Sequence, residues 1–155
     1  NWTEQRGRNE VVLFNELSAT LGKPDFAETT DEELEATVLF QKFLGDAARN
    51  VCTRMIIADE AAIAARAEGA ETDWNPRILV HVSPEETMET DAEAIKANMQ
   101  VLMQRFHGRR LAADAPGLAH WHWLFQSASF VTDRPADAWL AVCVALFTHP
   151  DFYTY

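Results

Sequence analysis

No uninterrupted apolar run of about twenty residues occurs in this chain, so no segment of it is built to cross a bilayer as a helix. A positively charged leader followed by an apolar stretch is also missing. The first residue is Asn1 rather than Met, which suggests a processed or trimmed chain and leaves a removed secretion signal open. Positive charge is scarce: 13 Lys and Arg stand against 24 Asp and Glu, for a formal charge of −11. A surface of that sign repels phosphate backbones and anionic headgroups, which argues against nucleic acid and membrane surfaces as partners. Cysteine is scarcer still, with Cys52 and Cys143 the whole complement. They either pair, closing a loop of about ninety residues, or sit as two buried thiols, and alone they do not fix a compartment.

Catalytic motifs are missing too, and each absence removes a chemistry. Without Cys-x-x-Cys-His there is no covalent haem. Without His-Glu-x-x-His there is no zinc-protease helix, and without paired Glu-x-x-His segments there is no di-iron carboxylate bundle. Neither a Gly-x-Ser-x-Gly elbow nor a glycine-rich phosphate loop is present. His120 and His122 are two residues apart, about 200° around a helix, and so cannot grip one ion together. No cofactor and no metal are therefore expected. Two other readings stay open: a non-covalent haem bundle using a histidine with Met55, Met88, Met99 or Met103, and histidine acid–base chemistry at His120, His122 or His149.

What is present is an apolar helical pattern. With 48% hydrophobic residues in 155, the chain is long enough to bury a core as one domain. From Asp31 to Ala58, the residues Leu34, Val38, Phe43, Ala47, Val51, Cys52 and Met55 recur at steps of three and four, which predicts a long central helix. A first helix is predicted after Asn9, and Thr29 or Thr30 is the expected cap of the second. A bend or break is expected near Ala58–Glu60, with Gly69 as the stop. Ile78–Val82 is the one β-branched run. A lone five-residue strand has no partner, so a buried short helix or an extended connector is predicted there.

Further helices are predicted over Asp91–His107, ended by Gly108, over Pro116–Ala128, and from Asp133, as cap, to Thr148. The tail Asp151–Tyr155 is expected to dock back on the body. The fold class is all-α: a single-domain bundle of five or six helices around the long central one, with 1–8 and 150–155 peripheral.

Two groups of residues stand outside this packing scheme. Arg105, His107, Arg109 and Arg110 form a basic cluster in an acidic chain, read as capping charge or as an interaction patch. Trp121 and Trp139 read as core. Trp123 lies off the main stripe beside His122, and is read as core in preference to an interface anchor.

The segment Phe40–Cys52, FQKFLGDAARNVC, resembles a stretch found in secreted or lipoprotein-type proteins of myxobacteria and related bacteria. Ala138–Phe152, with its Trp139-x-x-x-Cys143-x-x-Leu146-x-x-x-Pro150-x-Phe152 pattern, is similar to the closing segment of those proteins and of planctomycete cytochrome-c-associated proteins of unknown function. The resemblance implies a periplasmic, outer-membrane-associated or extracellular location. It also implies partnership with a surface or redox assembly, and a bond between Cys52 and Cys143. The expected function is a non-enzymatic helical accessory subunit or interaction domain of such a complex, with other protein subunits as partners.

Overall fold

The computed structural model describes residues 38–154, and all regular elements there are helices: α1 Val38–Ala67, α2 Ala92–His107, α3 Pro116–Thr132, α4 Pro135–Thr148 and the short α5 Pro150–Tyr153. No strand occurs among the described residues, and the class is an all-α helical bundle. None of these helices is long and apolar enough to cross a membrane. The chain divides into two compact units, Asn1–Ala47 and Ala48–Tyr155. The helix expected after Asn9 and the cap expected at Thr29 or Thr30 lie outside the described residues.

α1 runs unbroken for 30 residues, so there is no break near Ala58–Glu60. From Asp46 onward it contains no glycine or proline to break it. Its buried residues Ala48, Cys52, Ile56, Asp59 and Ala62 follow one another at steps of three and four. Gly69 then stops it. In the left-handed region at φ 81°, Gly69 donates to the Arg66 carbonyl and Ala70 to that of Ala65, which satisfies the last carbonyls of the helix.

Beyond Gly69 the chain is neither helix nor strand, yet Ile78, Leu79 and Val82 are buried. The Ile78–Val82 run is therefore the extended-connector alternative. A buried backbone outside regular structure has to find its hydrogen bonds elsewhere, and two fully buried polar side chains provide them. Asp59 of α1 accepts from the N–H groups of Arg77, Ile78 and Leu79 at 2.9, 2.6 and 2.9 Å, and from Trp74 Nε1 at 2.7 Å. Asn98 of α2 accepts from Val80 and His81 at 2.9 and 3.1 Å, and returns an N–H to the Ile78 carbonyl at 2.8 Å.

α2 begins at Asp91, whose Oδ1 accepts from the Ala94 N–H at 3.0 Å, and ends at Gly108 with φ 66°. α3 extends a turn past Ala128 to Thr132. That extension corrects the role expected of Asp133: it ends α3 in the left-handed region at φ 58°, a conformation Asp tolerates better than most residues, and does not cap α4. Arg134 precedes Pro135 at the start of α4 and makes no side-chain cap bond. This two-residue link folds α3 and α4 into a helical hairpin, with the Phe125 and Trp139 rings 4.6 Å apart between them. Cys52 and Cys143 form a disulfide joining α1 to α4 within the core.

Candidate functional site

Where α2 and α4 end, three ring-bearing residues converge with a carboxylate. His107 is the last residue of α2, and Gly108 turns the chain away behind it. Its Nε2 lies 3.0 Å from the Leu146 carbonyl oxygen. A carbonyl only accepts, so Nε2 carries the proton and the lone pair resides on Nδ1. That Nδ1 is closed to solvent and meets no hydrogen-bond partner.

His149 sits in the junction between α4 and α5, where Pro150 forces a new start. Its Nδ1 accepts from the Asp151 N–H at 3.1 Å and so caps α5. The two imidazoles lie 4.9 Å apart, and the Trp121 ring is 5.6 Å from His107 and 5.8 Å from His149. Asp151 completes the cluster: Oδ1 is 3.8 Å from His149 Nδ1, and Oδ2 pairs with Arg109 Nη2 at 2.6 Å. One nitrogen of each histidine and one carboxylate oxygen of Asp151 fall within 4.8 Å of one another.

Burial pulls the His107 pKa below the ordinary 6.5; His149 and Arg109 add to that pull, while the Leu146 carbonyl and Asp151 oppose it. His122, half-buried on α3, is lowered by burial first and by Lys96 second, and its Nε2 is buried without a partner. Both rings are protonated more readily in the unfolded chain than in the folded one. Stability is therefore full above about pH 6.5 and falls as the pH drops below it. The urea midpoint should fall between about pH 7.5 and 5.5, and fall less in His122→Gln; an equal fall in that variant would remove His122 from the effect.

The basic cluster is dispersed over separate tasks. Arg105 Nη1 donates to the Arg77 carbonyl at 2.8 Å and so braces the connector, Arg109 holds the tail through Asp151, and Arg110 is exposed. The tail is docked: the Phe152 ring lies 4.8 Å from Phe147 and 6.2 Å from Phe106. His120 is exposed beside Trp121, and it does not join the His107–His149 cluster.

Trp121 and Trp139 are core, at 4% and 0% exposure, but Trp123 is 67% exposed, against the expectation of core. The cause is geometric. The buried stripe of α3 runs through Leu118, Trp121 and Phe125, and Trp123 is about 200° around the helix from both Trp121 and Phe125. Phe130 and Val131 are 89% and 80% exposed on the same helix. Trp123 and Phe130 are one heptad apart, hence about 10 Å along one face and within about 20° of one another.

No protein family, curated protein or solved structure matches the chain.

Proposed function

We propose that this chain is a non-enzymatic helical accessory subunit or interaction domain of a bacterial envelope or extracellular complex, binding another protein through the outer face of α3. The observation that carries the reading is the pair of aromatic side chains, Trp123 and Phe130, standing in solvent one heptad apart with Val131 beside them. Single exposed apolar residues are ordinary, and two large rings on one helical face are not. Trp and Phe are the anchor type that fills a pocket or a groove between helices, and burying each ring is worth about 1.5–3 kcal/mol. The Cys52–Cys143 bond adds support for an oxidising compartment. So does the resemblance of Phe40–Cys52 and Ala138–Phe152 to secreted bacterial proteins.

The test is native mass spectrometry of the chain isolated from its source, against Trp123→Glu combined with Phe130→Glu. The chain should fly with partner polypeptides well above its own 17.5 kDa, and the double variant as the bare chain with unchanged far-ultraviolet dichroism. In solution the variant should bind the recovered partner about 150-fold more weakly or worse. A bare wild-type monomer overturns the reading. A mass of two identical chains replaces the heterologous partner by a second copy.

A further inference from the structure

The cluster at the ends of α2 and α4 supports an assignment independent of the α3 face. We infer that His107, His149 and Asp151 bind one divalent transition-metal ion of the zinc type. Two imidazole nitrogens and a carboxylate oxygen make a donor set that suits zinc and its first-row neighbours, whereas magnesium and calcium favour oxygen alone.

The strongest sign is at His107. Its Nε2–H is spent on the Leu146 carbonyl, the outer contact that commonly orients a metal-binding imidazole and fixes its tautomer. The Nδ1 lone pair this leaves is shielded from solvent and has nothing to accept from. A buried acceptor left unpaired is costly and rare in folded proteins, and a cation placed between the two histidines is the partner that this one lacks.

Asp151 is divided the same way. Arg109 holds Oδ2, and Oδ1 is turned toward His149 at 3.8 Å from its Nδ1. His149 offers the ion either ring nitrogen: Nε2, or Nδ1 once it releases the Asp151 N–H that it now accepts. Zinc ligands about 2.0–2.1 Å from the ion stand about 3.4 Å from one another, so donors within 4.8 Å close by roughly an ångström. His149 and Asp151 belong to the junction and to α5, a four-residue helix at the end of the fold, where such a closure needs no movement of the core. Three protein donors leave a fourth position for water. The Arg109 guanidinium beside the carboxylate opposes the ion's charge and weakens its binding.

The full chain with its disulfide intact is titrated at about pH 7.5 with cobalt(II), then with zinc(II) in competition. One equivalent of cobalt should bind and develop visible absorption, and one equivalent of zinc should displace it. His149→Ala, Asp151→Asn and His107→Gln should each weaken binding about 100-fold or more, while His120→Ala and His81→Ala leave it unchanged. Asp151→Asn keeps the shape of the side chain, and far-ultraviolet dichroism confirms that each variant is folded. Three results would overturn the assignment: no binding below about 1 mM, binding that survives both His149→Ala and Asp151→Asn, or equal competition by magnesium.

Discussion

Asp59→Ala should lower the melting temperature by about 6–24 °C. Nowhere else among the described residues does one side chain hold so much backbone: three consecutive N–H groups and the Trp74 indole at 2.6–2.9 Å, around a carboxylate with no exposed surface. Each of those donors left unpaired in the interior costs about 1–3 kcal/mol, and charge-assisted bonds lie at the upper end. Water entering beside Arg77 and Trp74, which are less buried than Ile78 and Leu79, recovers part of that. The net loss of about 3–6 kcal/mol compares with about 5–15 kcal/mol for the whole stability of a typical domain. Asp59→Asn should fall between: one oxygen still accepts, but the new NH2 group faces peptide N–H groups that it cannot satisfy. Thermal unfolding followed by dichroism and tryptophan fluorescence measures both. A midpoint for Asp59→Ala within a few degrees of wild type would mean that the connector is held by its apolar residues alone.

The anchoring by Asp59 and Asn98 had a signal in the sequence. Cys52, Ile56, Asp59 and Ile63 continue the apolar stripe of α1 at steps of four, three and four, and Asn98 stands between Ile95 and Leu102 on that of α2. A short polar side chain at a core position must be bonded to something. The connector Ile78–Val82, apolar yet unable to form a sheet, was the backbone in want of acceptors. Expecting an interruption near Ala58–Glu60 cut the stripe at Asp59 and hid that link. The end signals were plain, because Gly69, Gly108, Pro116 and Pro135 act through the local backbone alone. Asp133 misled because a residue suited to capping the next helix is also suited to the left-handed end of the previous one.

The His107–His149–Asp151 cluster was not legible in this way. Its members come from the end of one helix and the start of another, and only the return of the docked tail brings them together. No spacing rule spans that distance. Trp123 was misjudged through its neighbours: Trp121 and Phe125, two residues to either side, mark the buried face, and that alone puts Trp123 on the opposite side.

Removing the disulfide should be the second large loss. The bond joins positions 91 apart in sequence, and closing so long a loop restricts the unfolded chain by about 4–5 kcal/mol in the chain-entropy account. Cys52→Ala with Cys143→Ala should therefore lower the melting temperature by about 10–18 °C at this chain length. Both cysteines have no exposed surface, so a thiol reductant should cut the bond no faster than the fold opens. Sub-denaturing urea should accelerate that cleavage as the population of open chains rises. Fast reduction in native buffer, or an unchanged melting temperature in the alanine pair, would show that the bond does not constrain unfolding. The two large effects also meet on one helix: Cys52 fastens α1 to α4, and Asp59, two turns further on, fastens it to the connector. Asp59→Asn in the disulfide-free background should then cost less than the sum of the single losses, because the first change already loosens the helix that the second depends on. Strict additivity in urea would mean instead that the two fastenings hold α1 independently.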